Sequence, residues 1–296
     1  MDPMHQIEAT LMRALDRGEG PGAPPRLGAA MRHAVFPGGA RIRPRLCLSV
    51  ARACSPAPKP DHQDASIMFG AASAIELLHC ASLVHDDLPC FDDAAMRRGK
   101  PSVHVAFDER LAVLAGDALI VMAFEILAVE AAARPERLSA LLSILARSVG
   151  MPLGIAAGQA WECEPHADLS AYQQAKTGAL FAAASLAGAV AVGFEADPGW
   201  RDFGERLGEA FQVADDIRDV AGSAEQEGKP VGRDDALGRP NAALALGLPR
   251  AVERLEHLIA SAIDQIPLCP GRAVLCAEIR AVTRSFLPQM IWEAAH

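Results

Sequence analysis

The stretch Ala81-Ser82-Leu83-Val84-His85-Asp86-Asp87-Leu88-Pro89-Cys90-Phe91-Asp92-Asp93 decides the reading of this chain, because two pairs of acids close an otherwise apolar run. About 130 residues later Phe211-Gln212-Val213-Ala214-Asp215-Asp216-Ile217-Arg218-Asp219 repeats the arrangement. In the second stretch Asp215 and Asp219 stand at i and i+4, so their carboxylates fall one turn apart on a single helical face. Like charges so placed repel by roughly 0.2–0.5 kcal/mol, and a bound cation reverses the sign. A solvated acidic face is the ordinary meaning of clustered acids, but both clusters here end segments of buried character. The pairing points to a metal-diphosphate site. In the first stretch Asp86 and Asp92 are six residues apart, about 240° on an ideal helix, and share no face. Pro89 removes a backbone donor and clashes with the preceding turn, so the helix is expected to break there and swing Asp92 back toward Asp86.

Working outward, 296 residues with 51% hydrophobic content suffice for a large core. Aromatics make up 5%, and β-branched runs are scarce among the Ala and Leu, which favours an all-α protein. A net charge of −9 argues against a nucleic-acid surface, which needs basic stripes. It leaves an anionic substrate open, since bound Mg²⁺ inverts local charge. The seven cysteines are irregularly spaced and mostly in apolar surroundings, so they read as reduced, packed thiols. Cys80 and Cys90 lack the CxxC companions of a zinc site. The N-terminus shows no basic segment followed by an apolar one, so a cytoplasmic location is expected. Residues 177–194 carry no charge over 18 positions, the length at which a membrane span is tested. Most are Ala and Gly, which suits a closely packed central helix and no membrane span.

Gly and Pro punctuate the chain at 18–25, 55–60, 222–240 and 267–271. Helices are expected over roughly 5–17, 27–34, 41–54, 63–88, 109–132, 136–149, 169–194, 200–221, 250–266 and 272–294. One domain spanning 1–296 follows, a helix bundle around a central cavity with both aspartate-bearing helix ends facing it. Basic residues accompany the acids: Gly38-Gly39-Ala40-Arg41-Ile42-Arg43-Pro44, then Arg97-Arg98-Gly99-Lys100-Pro101, Lys176-Thr177-Gly178 and Gly228-Lys229-Pro230. The arginine fork suits bidentate diphosphate binding, and lysine serves as a point charge to the same group. The set suggests two phosphate-rich ligands, one bridged through Mg²⁺ and one held directly.

These segments, with Ala115-Gly116-Asp117-Ala118-Leu119, resemble in order and spacing the trans-isoprenyl diphosphate synthases of the polyprenyl synthetase family, from Gly38 to about Gly247. The likeness is nearest to the geranylgeranyl members that serve carotenoid and bacteriochlorophyll synthesis. It implies the isoprenoid synthase helix bundle and a homodimer. It also implies an enzyme that condenses isopentenyl diphosphate with allylic diphosphates, to a C20 product or, as the alternative, C15. Carried over by position, Asp86, Asp92 and Asp215 are the main Mg²⁺ ligands, supported by Asp87, Asp216 and Asp219, with three ions per site. Arg97, Lys176 and Lys229 grip the allylic diphosphate, Thr177 and Gln212 line the reacting end, and Arg43, His79 and Arg98 hold isopentenyl diphosphate. His79 lies seven residues before Asp86, about 20° away in helical projection, so one face serves both substrates.

One departure stands out: relatives usually read Gly-Gly-Lys-Arg where this chain has Ala40, so either Arg41 or Arg45 substitutes or that substrate binds less tightly. Product length is expected to depend on Ala81 and Ser82, roughly 6–8 Å below Asp86 along the helix. Both are small, whereas relatives that stop at fifteen carbons often carry Phe or Tyr there, with Ile75, Leu78 or Met122 the candidate floor. A terpene cyclase has no need of the basic Gly-Gly loop, and a non-catalytic partner subunit typically loses acids from one cluster.

Overall fold

The computed structural model describes residues 2–57, 60–166, 172, 174–221, 241–288 and 292. Its centre is α4 (His62–Asp86), which begins where the Asp61 side chain accepts from Asp64 N. From Ile67 to Val84 this helix is buried on nearly every side, as a helix apolar all round must be. Around it stand α1 (Pro3–Gly18), α2 (Pro25–Val35), α3 (Ile42–Cys54) and α6 (Glu109–Glu130), preceded by the short α5 (Val103–Ala106). The bundle continues with α7 (Pro135–Val149), α8 (Ile155–Ala160), α9 (Ala179–Ala191), α10 (Pro198–Ala221), α11 (Ala242–Leu246), α12 (Leu248–Gln265) and α13 (Arg272–Arg284). The largest contact is α4 on α6; α9 lies between α3 and α10, and α10 backs onto α12. Prolines at the first turns of α1, α2, α7 and α12 occupy positions where no helical N–H is needed. One buried cluster runs through the layers from Ile7 to Leu287.

The uncharged run 177–194 becomes a wide helical turn, Gln174–Gly178, followed by α9, in which every residue from Leu180 to Ala191 is buried. Its small side chains let neighbouring backbones come close. A Cβ on Gly204 of α10 would stand 2.5 Å from Ala182 Cα, so the α9–α10 crossing tolerates no side chain there. Two other helices, α4 and α6, are long and apolar enough to cross a membrane. In α4 the apolar surface is turned into the protein core, and in α6 much of it faces outward.

Several boundaries differ from expectation. The helix read to residue 88 stops at Asp86, two residues earlier, because the Pro89 break is felt upstream. The helix read over 272–294 ends at Arg284, four residues before Pro288. Short helices α5, α8 and α11 lie outside the expected helical ranges, each too brief for a clear 3.6-residue pattern. Met96–Arg97 and Lys100–Pro101 pair as a two-residue hairpin, β1 and β2, around Arg98 and Gly99. All seven cysteines are free; Cys90 and Cys163 are exposed rather than packed.

Candidate active site

The break after Asp86 is a tight return of the chain. Leu88 N donates to His85 O, Asp93 N to Leu88 O, and Asp92 N to Asp86 O at 2.9 Å, which carries Asp92 back over the helix end as its spacing requires. Asp93, with φ 45°, takes the left-handed conformation needed to close the turn. Asp86 and Asp92 are joined by a third acid, Glu162, and each offers an oxygen within 4.8 Å of the others. An all-carboxylate set at that spacing fits a hard divalent cation such as magnesium.

Lys176 reaches into this cluster, its Nζ 3.1 Å from Asp86 Oδ1 and 2.5 Å from Glu162 Oε1. Burial alone would lower its pKa, but Asp86, Tyr172 and Glu162 outweigh that and hold the ammonium above the ordinary lysine range. The wide turn Gln174–Gly178 aims it, and such irregular turns recur at functional sites. Gly158 of α8 makes the approach possible: a Cβ there would lie 2.5 Å from Lys176 N.

Asp87 is drawn away from the cluster. It is buried, and Arg97 grips it in bidentate fashion, Nε 3.0 Å from Oδ1 with Nη2 closing on the same carboxylate. Burial pushes the Asp87 carboxyl up and the arginine pulls it back. In the second cluster Asp215 accepts from Arg218 Nη2 at 2.8 Å. Asp216 is buried and accepts from Gln212 Nε2 at 2.9 Å and Ala242 N at 2.8 Å, while Thr177 Oγ1 donates to Gln212 Oε1 at 2.8 Å. Thr177, Gln212 and Asp216 thus form a chain of contacts from the Lys176 turn to the start of α11. Asp219 is buried on the same helix. Lys229 lies outside the described residues.

A separate cationic pocket sits beneath the Gly38-Gly39 loop. Arg43 Nη1 lies 3.4 Å from His79 Nε2, and the Arg43 guanidinium stacks 4.8 Å over the Phe181 ring. Arg43 Nε and Arg98 Nη1 are buried without a hydrogen-bond partner, a costly state that an anionic ligand relieves. Burial lowers the Arg43 pKa to about 10, which leaves the group charged at neutral pH. Burial and the surrounding arginines push His79 well below the usual imidazole range, so its ring is neutral and can accept. Arg41 and Arg98, at φ 50° and 53°, are with Asp93 the left-handed non-glycine residues among those described. All three flank these two pockets, where backbone strain is commonly concentrated. Arg41 is not available to replace the missing lysine, because it is buried and paired with Glu8 and Glu76. Arg45 is exposed and shares with Ala40 a cavity of about 370 Å³.

The polyprenyl synthetase family model matches residues 24–272, which hold both acid clusters and the basic loop. The chain belongs to the polyprenyl synthetase family. It is 53% identical over 286 residues, 97% of each chain, to the geranylgeranyl diphosphate synthase of Cereibacter sphaeroides, and 52% identical over 275 residues, 93% of each, to that of Rhodobacter capsulatus. The fold is similar to a geranyltransferase from Helicobacter pylori complexed with magnesium and isoprenyl diphosphate, with a TM-score of 0.76 and 30% identity over 96% of this chain and 98% of the other. Within this synthetase the residue that sequence reasoning missed is Glu162. It stands in Trp161-Glu162-Cys163-Glu164, and nothing in that short acidic turn distinguishes it from a solvated loop acid.

Proposed function

We propose that the chain joins isopentenyl diphosphate head to tail onto allylic diphosphates to give geranylgeranyl diphosphate. The observation that carries this reading is the presence of two distinct anion-binding centres, a carboxylate cluster with Lys176 and a carboxylate-free face of Arg43, His79 and Arg98. A cyclase, with one diphosphate substrate, has no use for the second. Asp86, Asp92 and Glu162 on one side and Asp215 and Asp219 on the other hold magnesium, three ions per site. Bound magnesium supplies Lewis-acid neutralisation of the departing allylic diphosphate. Lys176 and Arg97 take up the charge that builds on that leaving group, already oriented by their own acids. Thr177 and Gln212 fix the reacting end. Arg43, His79 and Arg98 hold the second substrate so that its double bond attacks the allylic carbon, and the leaving diphosphate takes the proton. Apolar walls along α4 keep water from the cation.

The test is an assay of purified protein with magnesium, labelled isopentenyl diphosphate and dimethylallyl, geranyl or farnesyl diphosphate in turn. A C20 product from all three primers is the expected result. A C15 end point moves the tunnel floor upward, and no incorporation from any primer overturns the proposal. Ala40→Lys tests the departure in the basic loop. The side chain enters the open cavity beside Arg45, and the Michaelis constant for isopentenyl diphosphate is expected to fall about threefold to tenfold, the scale of one added charged contact. An unchanged constant means that Arg45 already supplies the contact.

The protein is further proposed to act as a homodimer through α6. Val113, Leu114, Val121 and Val129 are all exposed on this one helix, and Val121 is 67% exposed. Apolar surface concentrated in this way marks an interaction face. Val121→Glu is expected to shift sedimentation from dimer to monomer; a mutant that still sediments as a dimer places the contact elsewhere.

A further inference from the structure

Glu76 is the lone acid in the apolar run 65–84 of α4, and it is 1% exposed. A carboxylate so deep in a core is costly unless charged partners surround it. Its partners are the arginines of the cationic pocket. Arg41 Nη1 lies 2.5 Å from Glu76 Oε1, and Arg98 Nη2 lies 3.9 Å from the same oxygen. Cys80 Sγ, one turn on, approaches that oxygen at 3.8 Å. Arg41 is held at its other edge by Glu8, at 2.9 Å, and by the Val35 carbonyl. His79 stands three residues beyond Glu76 on the same helix, so the carboxylate and the imidazole share a face.

From this geometry we infer that Glu76 is a positioning residue for the isopentenyl diphosphate pocket: it anchors Arg41 and draws Arg98 inward from behind, so that Arg98 Nη1 stays directed into the pocket. The inference rests on the reading of Arg43, His79 and Arg98 as that substrate's site. Arg41, Arg43 and Arg98 repel one another in a partly desolvated space, and Glu76 is the buried counter-charge that lies against two of them. Without it Arg98, whose side chain is 19% exposed, has a path outward to solvent. The carboxylate touches neither substrate in this arrangement, so its loss acts on binding geometry and leaves the chemical step alone.

Glu76→Gln preserves volume and one acceptor but removes the charge. The expected result is a Michaelis constant for isopentenyl diphosphate raised about tenfold, with kcat at saturating substrate and the constant for the allylic primer within twofold of the parent. Glu76→Asp keeps the charge, withdraws it by one methylene and is the deciding variant if the glutamine protein does not fold; a rise of about threefold in the same single constant is expected. An unchanged or lowered constant for isopentenyl diphosphate, or a parallel loss of kcat and both constants, overturns the inference. Failure of the parent protein to incorporate isopentenyl diphosphate at all overturns the functional reading instead, so the two failures are told apart by the parent enzyme alone.

Discussion

Asp86→Asn is expected to lower kcat by about 10³-fold, equivalent to ~4 kcal/mol of transition-state stabilisation. The substitution keeps shape and volume and removes one charge from the place where Asp92, Glu162 and Lys176 converge. Two effects add. The carboxylate set loses a member and binds a divalent cation less well, and Lys176 loses the partner that keeps it over the leaving group. Raising magnesium recovers only the first effect, so activity is expected to rise with added metal yet remain far below the parent. Asp87→Asn is the contrasting variant. Its carboxylate is buried under Arg97, and removing one side of that pair falls first on folding stability. A protein in which Asp86→Asn retains more than a tenth of parental kcat at saturating magnesium does not use Asp86 in the way proposed.

Ser82→Phe is expected to shorten the product from twenty carbons to fifteen. Ser82 lies one turn below Asp86 on the same side of α4, retains part of its surface accessible, and donates its hydroxyl to the His79 carbonyl at 2.8 Å. A benzyl side chain there projects into the path of a growing chain. Ala81, beside it, has no accessible surface, and Ala81→Phe is expected to shorten the product as well but at a cost of about 1–3 kcal/mol in overpacking. Product analysis by chain length separates the outcomes. Continued formation of the C20 product by both variants means that elongation is stopped by other walls than this part of α4.

Helix positions follow largely from sequence because α1, α3, α6 and α7 are long and periodic, and their starts carry acids or prolines that fit a helix N-terminus. The return of Asp92 onto Asp86 was legible too, since a six-residue spacing around a proline leaves few alternatives. What sequence does not disclose are contacts between distant segments. Glu162 meets Asp86 across 76 positions, and no local pattern connects them. The roles of Asp87 and Asp216 were hidden for the same reason: both read as equal members of acid clusters, and only folding brings Arg97 onto one and the amide of Ala242 onto the other. Glu76 was the signal left unread. A single acid inside twenty apolar positions announces a buried partner before any coordinates are known.

Three acids of the site have a cation of their own: Asp86 has Lys176, Asp87 has Arg97, and Asp215 has Arg218. The polypeptide therefore carries enough internal compensation to complete its fold before any metal or substrate arrives. Assembly and loading are separate events in its life. A cell short of magnesium accumulates an intact, idle protein that resumes work when the ion returns, with no need to make the chain again.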